Sequence, residues 1–228
     1  MSLPDRPGEP VPGVAVRGLP EAAIARLALC HRVLAELAAA GVETVRSDDL
    51  ATACGVRPAN LRKDLSHLGS YGVRGVGYHV PVLMERISEQ LGLTANLRVV
   101  IVGLGNLGRA LAGYPGFQPR GLKVVALVDP SYVGEVIEGP HGPITVAGVE
   151  DLARVVAAAA ARIGIIATPA EQAQQVADLL VAAGIRSILN FAPVALTVPA
   201  STEVRKVDLA VELQILAFHE QQRTEETA

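Results

Sequence analysis

The sequence predicts an α/β protein with an N-terminal winged helix-turn-helix domain and a C-terminal Rossmann domain, a doubly wound parallel sheet. Two patterns predict this class. A helix, a tight turn and a second helix occupy residues 47–68, which is typical of a helix-turn-helix unit. Strands alternate with helices from residue 97 onward, and this order favours a parallel sheet with helices on both faces.

The length of 228 residues suits one large or two small domains. The tail at the N-terminus is rich in Pro and Gly and lacks apolar periodicity, so we expect it to be disordered. The predicted segments are a disordered tail at 1–18, the winged-helix domain at 19–92, the Rossmann domain at 93–207 and a C-terminal helix at 208–222.

Composition excludes several classes of protein. The net charge of −3 argues against a generally basic nucleic-acid binder. Cys30 and Cys54 both fall in helical patterns, and we expect them to be reduced thiols in a cytoplasmic protein. We predict no metal site, because no zinc-type spacing occurs, and no membrane span, because no apolar run is long enough.

The helix pair carries the predicted contacts to DNA. Leu61, Leu65 and Leu68 repeat at intervals of four and three, which leaves the polar side chains of this helix mostly on its other faces. In a helix-turn-helix unit the second helix enters the major groove, where Arg and Lys contact phosphate or guanine and Asn pairs with adenine. The candidate residues are Arg57, Asn60, Arg62, Lys63, Ser66 and His67. A plain helical hairpin with a solvated face is the alternative.

Glycines alternate with β-formers over residues 69–79, which indicates a tight hairpin. A hairpin after a helix-turn-helix is a wing, and Arg74 at its tip would reach a phosphate or the minor groove. Within Arg57–Tyr78 four basic residues face only Asp64, a local charge of about +3 that favours DNA binding.

A glycine-rich turn is the strongest motif. Gly103, Gly105 and Gly108 form Gly-x-Gly-x-x-Gly between an apolar strand and an Ala/Leu-rich helix, which is the context of a dinucleotide fingerprint. The first glycine makes the turn, the second admits a pyrophosphate and the third lets the helix pack closely. Asp129 ends the next strand, where an acid that binds ribose and repels a 2′-phosphate is expected, so NAD is favoured over NADP. The alternative is a glycine turn that merely packs a βα unit, with Asp129 starting an Asp-Pro turn.

Ligands of such sheets bind beyond the carboxyl ends of the strands. The candidate cofactor residues there are Gly103, Leu104, Gly105, Asn106, Leu107, Gly108, Asp129, Thr168, Pro169, Asn190 and Phe191. We expect a loop over Ser131–Val146, a helix over Val149–Ala161 and a last strand over Val204–Val207. The broad apolar face of the last helix needs a cover, either its own sheet or a partner subunit, and Asp208 is placed to be its N-cap.

The combined motifs resemble the Rex family of redox-sensing transcriptional repressors. They lie at residues 62–66, 72–78, 101–108 and 188–193, and the resemblance spans nearly the whole chain. It implies a homodimer in which the C-terminal helix is swapped onto the partner, and a double-stranded DNA operator with two inverted half-sites. It also implies that NADH releases the protein from DNA whereas NAD⁺ permits binding.

The resemblance further implies a switch. Asp208 would lie near the partner's nicotinamide pocket and be linked to Tyr114 in one state and to Arg32 in the other. Leu209 departs from family members that place a Phe beside the nicotinamide. From the residues alone, Tyr114 is equally a helix-end aromatic, Arg32 a solvated Arg and Asp208 an N-cap.

Two other functions are consistent with a nucleotide fold. An NAD-dependent dehydrogenase needs a proton-transfer residue near the nicotinamide, but none of the five His lies at a strand end in the second half of the sheet. We therefore predict that the protein is not an enzyme. A nucleotide-binding regulatory module without a DNA role is the other alternative, and neutralising Arg62 and Lys63 would distinguish it.

Overall fold

The structure is a computed structural model that describes residues 19–69, 72–73 and 76–227, with side chains as far as Arg223. The predicted tail at 1–18 and Arg74 at the predicted wing tip lie outside the described residues. The chain divides into two units, Met1–Thr94 and Ala95–Ala228. The division falls two residues beyond the boundary that the sequence suggested.

The first unit is a small helical domain with a two-stranded sheet. Its elements are α1 (Glu21–Ala39), β1 (Thr44–Val45), α2 (Ser47–Ala53), α3 (Pro58–Ser66), β2 (Tyr78–His79) and α4 (Val80–Gln90). Helices α2 and α3 form the predicted helix-turn-helix, and Gly55 makes the turn with a φ of 66° that favours glycine. Leucines of α1 to α4 fill one apolar core, which positions α3.

The predicted wing pairs with a strand that the sequence analysis did not identify. Val73 and Gly77 form an antiparallel bridge, and β2 pairs antiparallel with β1. Gly77 has a φ of 111°, and a Cβ atom there would clash with the carbonyl oxygen of Val45. Only glycine therefore fits this position, because the strand passes so close to its neighbour.

The second unit is a seven-stranded sheet flanked by helices. Its strands are β3 (Leu97–Val102), β4 (Leu122–Val128), β5 (Val136–Gly139), β6 (Gly142–Ala147), β7 (Ile163–Ile166), β8 (Ser187–Asn190) and β9 (Glu203–Lys206). Its α-helices are α5 (Asn106–Ala112), α6 (Leu152–Ala158), α7 (Ala170–Ala182) and α8 (Leu209–Thr227). Short 3₁₀-helices lie at Leu93–Ala95, Pro115–Arg120 and Val149–Asp151.

The strand order β5-β6-β4-β3-β7-β8-β9 explains where a ligand can bind. All neighbouring strands are parallel except β5 and β6. After β3 the chain builds one side of the sheet through β4 and β6, then returns to the other side of β3 with β7. This reversal is the topological switch point, where the carboxyl ends of the strands leave a crevice.

Strand β3 is buried on both faces, as a central parallel strand requires. Val99 and Ile101 belong to the core on one side of the sheet, and Val100 and Val102 belong to the core on the other. All four side chains are nearly inaccessible, so the start of the glycine turn is held firmly.

Four expectations about this unit were wrong in detail. The loop expected over Ser131–Val146 contains the hairpin β5–β6, because β-branched residues cluster at 136–137 and 144–146 despite the Gly and Pro. The helix expected over Val149–Ala161 begins as a 3₁₀ turn and ends at Ala158, and the last strand is shifted by one residue to Glu203–Lys206. Helix α8 continues to Thr227 rather than ending at 222, since its polar last turns contain good helix formers.

Candidate functional site: a dinucleotide cavity and a DNA-facing helix

An open cavity of about 470 Å³ lies at the carboxyl ends of β3, β4 and β7. It is therefore at the switch point of the sheet. Its lining comprises Val102, Gly103, Gly105, Asn106, Leu107, Asp129, Pro130, Ser131, Tyr132, Val149, Ala167, Thr168, Pro169, Gln172 and Val176. Seven predicted cofactor residues meet in this lining, although they are up to 66 positions apart in sequence (Gly103 to Pro169).

The three glycines of the turn have different reasons to be glycine. Gly103 has a φ of 97°, and a Cβ atom there would lie 2.6 Å from the carbonyl oxygen of Ala167. A Cβ atom on Gly108 would clash with the carbonyl oxygen of Gly103. Gly105 has an ordinary φ of −63° and open space in front of it. The space at Gly105 fits the close approach of a pyrophosphate, which the fingerprint predicts at this position.

Asp129 is a buried carboxylate at the end of β4 that is held from both sides. Its Oδ2 accepts the backbone N–H of Leu104 at 2.7 Å, and its Oδ1 accepts that of Ser131 at 2.8 Å. The carboxylate thus connects the glycine turn to the loop after β4. This agrees with the alternative interpretation of Asp129 as the start of an Asp-Pro turn. Each oxygen keeps a lone pair, so the same group can still accept ribose hydroxyls.

Thr168 supplies an unused polar group at the end of β7. Its hydroxyl oxygen is buried and has no hydrogen-bond partner within the described part of the chain. Buried polar atoms without a partner are rare and need an explanation, and a ligand in the cavity that Thr168 lines provides one.

Asn190 and Phe191 lie outside the cavity lining. The side-chain amide of Asn190 donates to the carbonyl of Val194, and its oxygen accepts the N–H of Ala192, both at 2.9 Å. It therefore holds the turn after β8. Phe191 packs against the core beneath the sheet. Leu104 is likewise buried, so that only its backbone faces the turn.

Residues of the loop after β4 and their neighbours also lie at the site, although no sequence motif singled them out. Ser131 and Tyr132 line the cavity, and Gln172 lines it from α7. Arg109 on α5 forms a two-bonded ion pair with Glu135 and stacks on the ring of Tyr132. The signal was present, because Arg109 directly follows the last glycine of the fingerprint.

The three residues of the implied switch have other partners in this structure. The Oδ1 atom of Asp208 accepts the N–H groups of Ala210 and Val211 at 3.2 and 3.4 Å, which makes Asp208 the N-cap of α8. A hydrogen bond from Lys206, whose Nζ lies 3.0 Å from Oδ2, lowers the pKa of Asp208. Tyr114 is half exposed and makes an edge contact with Phe117, and Arg32 pairs weakly with Glu36.

Helix α8 has an apolar face without a cover in the single chain. Every described side chain from Leu209 to Arg223 is exposed. The large apolar side chains among them are Leu209, Val211, Leu213, Ile215, Leu216 and Phe218. A soluble monomer rarely exposes so many apolar side chains together, which marks α8 as an interaction surface.

In the first unit, all six candidate DNA contacts from Arg57 to His67 are exposed. Arg62 forms an ion pair with Asp48 at 2.8 Å, between the two helices of the helix-turn-helix. Asp64 points the other way and is buried, where Arg26 of α1 donates to it twice, at 2.6 and 2.9 Å. The acid of α3 is thus neutralised inside the domain, and the outer face keeps its basic residues.

The structure also bears on the predictions about the two cysteines, a metal site and a membrane span. Cys30 and Cys54 are free thiols in the core of the first unit, and burial raises the pKa of both. Among the described residues, no three His, Cys, Asp or Glu side chains come together as a metal site would require. None of the helices in this part of the chain is both long and apolar enough to cross a membrane.

Two protein-family models match the chain, one on each unit. The model described as "Putative DNA-binding protein N-terminus" matches residues 18–66, and the one described as "CoA binding domain" matches residues 94–194. The first contains the helix-turn-helix, and the second contains the glycine turn and Asp129.

Known proteins are similar to this chain over nearly its full length. The redox-sensing transcriptional repressor Rex of Streptomyces avermitilis is 54% identical over 95% of this chain and 85% of its own length. The crystal structure of RSP in complex with β-NAD⁺ and operator DNA has a TM-score of 0.83 at 32% identity and covers 92% of this chain and 96% of that one. The crystal structure of RSP in complex with β-NADH has a TM-score of 0.79 at 31% identity, and the match covers 92% of this chain and 99% of that one. The chain therefore belongs to the Rex family of redox-sensing transcriptional repressors.

Proposed function

We propose that this protein represses transcription in response to the NADH/NAD⁺ ratio. It binds an inverted-repeat operator when it is free or holds NAD⁺, and it leaves the operator when it binds NADH. The observation that carries this function is the cavity at the switch point, where Gly105 leaves room for a pyrophosphate beside the Asp129 carboxylate. The complexes of RSP with NAD⁺ and operator DNA and with NADH support the same function.

The cofactor residues divide by role. The backbone of Gly103–Gly108 approaches the pyrophosphate, Asp129 accepts the ribose hydroxyls, and Thr168 with Pro169 borders the nicotinamide half. Asn190 and Phe191 support that half from the turn after β8. The oxidised ring carries a positive charge and the reduced ring does not, so a carboxylate near the ring would favour the two forms differently.

A ligand shifts an equilibrium only by its different affinity for the two states. We propose that Asp208, from the partner's helix, is the carboxylate that distinguishes the forms, and that Tyr114 and Arg32 are its alternating partners. The group is suited to exchange because it is ionised and partly accessible, and its contacts in the described part of the chain are with Lys206, Ala210 and Val211.

DNA is read by the outer face of α3. Arg57, Asn60, Arg62, Lys63, Ser66 and His67 are all accessible there, and Arg74 of the wing extends the contact. Two copies of α3 are needed for two half-sites, and the apolar face of α8 provides the surface for the homodimer. We propose that the protein acts in the cytoplasm, where its operator lies, and catalyses no reaction.

The test is fluorescence anisotropy of a labelled inverted repeat, which the protein itself selects from a randomised DNA pool. The salt concentration is fixed, because phosphate contacts make the affinity salt-dependent. NADH should abolish binding and NAD⁺ should preserve it. Selection of no inverted repeat, or release by both dinucleotides equally, would overturn the function, as would steady oxidation or reduction of a hydroxy acid or aldehyde.

A further inference from the structure

Arg109 occupies an unusual position for a basic residue in a site that prefers NAD. It follows the last glycine of the turn, and its Nε donates to the carbonyl of Leu104 at 3.1 Å. The N–H of the same residue, Leu104, donates to Asp129. Leu104 therefore connects the guanidinium of Arg109 to Asp129, the carboxylate that is expected to bind the adenosine ribose.

Two further contacts fix this guanidinium. Its centre lies 4.4 Å from the ring centroid of Tyr132, a residue that lines the cavity. Its Nη1 and Nη2 donate to the two carboxylate oxygens of Glu135 at 2.7 and 2.8 Å. Planar two-bonded pairs of this kind are the strongest form of Arg–carboxylate contact.

Glu135 cancels a charge that would otherwise attract phosphate. The hydrogen bonds from Arg109 lower the pKa of Glu135, so this carboxylate is ionised at neutral pH. The cavity lining contains no Lys or Arg among the described residues, and Asp129 is its only charged member. A 2′-phosphate would thus meet one carboxylate and one neutralised cation.

We propose that Glu135 masks Arg109, and that this pair together with Asp129 is a two-part lock against 2′-phosphorylated dinucleotides. In related folds an Arg near the ribose accommodates the 2′-phosphate of NADP. Here that Arg is present but paired, and its contacts with Leu104 and with Tyr132, which lines the cavity, hold it in place. The lock depends on the dinucleotide binding proposed above and identifies how that site rejects NADPH.

The experiment compares binding of NADH and NADPH to the purified full-length protein by calorimetry. Glu135→Gln removes the masking charge and leaves Arg109 with its other contacts. We expect the ratio of NADPH to NADH affinity to rise about fivefold, which is the upper end of what one exposed charge pair contributes. The gain should shrink as salt is added, because exposed charges are screened. Adding Asp129→Asn should increase the ratio further.

Two controls isolate the mask. Glu138→Gln removes the same charge from an exposed position three residues further along, in strand β5, and it should leave the ratio unchanged. Arg109→Ala combined with Glu135→Gln should abolish the gain. Thermal melts establish that each variant is folded, and Glu135→Ala repeats the test with a second side chain.

The outcomes separate the lock from the function. If wild-type protein binds NADH but Glu135→Gln does not raise the ratio, the lock is wrong and the function stands. A gain that persists without Arg109 also overturns the lock. Failure of the wild-type protein to bind NADH overturns the proposed function and the lock with it.

Discussion

The two units build their sites from different parts of the chain. The dinucleotide cavity consists largely of backbone and buried groups, in which the glycine turn, Asp129 and Thr168 are fixed by the ends of buried strands. The surface proposed to bind DNA consists of exposed side chains on α3, and neighbouring charges such as Asp48 affect what those side chains can contact. A site of the first kind fails when the backbone is disturbed, whereas one of the second kind changes in small electrostatic steps.

The largest effect is expected from Gly108→Ala. The added Cβ atom would clash with the carbonyl oxygen of Gly103, and neither atom can move unless the backbone of the turn or of α5 shifts. We expect the melting temperature to fall by roughly 5–10 °C and NADH affinity to fall more than about a hundredfold. Calorimetry and thermal melts measure both effects.

Gly105→Ala is the matched control for this change. Its Cβ atom meets open space, so the melting temperature should be preserved. NADH affinity should still fall at least about tenfold, because the methyl group occupies the approach of the pyrophosphate. A Gly105→Ala protein that binds NADH normally would contradict the placement of the pyrophosphate.

The contrast between the units also explains what the sequence could predict. The order of strand, glycine turn, helix and second strand led to Asp129, because parallel strands bring their carboxyl ends to one edge. This order could not distinguish Thr168, whose hydroxyl has no partner among the described residues, from Asn190, whose amide bonds to its own turn. Both follow a strand, and only local geometry separates them.

Charge pairs were the least predictable feature. In the sequence, Asp64 counts as the acid that partly offsets the basic residues of α3. In the structure it is buried and pairs with Arg26, which lies 38 positions earlier. Arg109 and Glu135 are 26 positions apart and meet only because the loop after β4 folds back over α5. No local spacing predicts such pairs, since the topology of the chain creates them.

Substitutions on the exposed face of α3 are expected to have a smaller effect than Gly108→Ala, because they leave the backbone undisturbed. Replacing Arg62 and Lys63 together by Ala should weaken operator binding about a hundredfold and reduce the salt dependence by about two phosphate contacts. NADH affinity should not change. Replacing Arg154 and Arg162 of the second unit by Ala removes the same charge and should leave operator binding nearly intact. Equal losses in both double variants would contradict a specific DNA face.

Asp208 tests whether one group serves as a cap and as a switch. Asp208→Asn keeps an N-cap acceptor but loses the charge, whereas Asp208→Ala loses both. If the charge operates the switch, both variants should shift the NADH concentration for half-release from DNA by about tenfold, because the charge no longer distinguishes the two states. Circular dichroism should show helix loss in the Ala variant alone. If NADH releases the Asp208→Asn protein from DNA as it releases the wild type, Asp208 serves only as the N-cap of α8.

The lowered pKa of Asp208 sets the pH range of its capping contribution. A carboxyl with a folded pKa below its unfolded value stabilises the fold above the unfolded pKa and loses that effect as the pH falls through the folded pKa. The cap of α8 should therefore be intact at neutral pH and weaken only below about pH 4. Helix content measured by circular dichroism against pH, with Asp208→Asn as reference, checks this range.

The smallest effect concerns the ion pair that restrains Arg62. Asp48→Asn frees the guanidinium from a partner 2.8 Å away, and exposed pairs of this kind are worth at most about 1 kcal/mol. Operator affinity should therefore rise about threefold. Asp49→Asn removes the same charge from the adjacent exposed position, so it should produce a smaller gain if pairing matters. Equal gains would mean that Asp48 acts only through net charge, and a loss would mean that the pair orients Arg62 toward the DNA. Fluorescence anisotropy of the labelled operator, compared for the three proteins at one fixed salt concentration, distinguishes these outcomes.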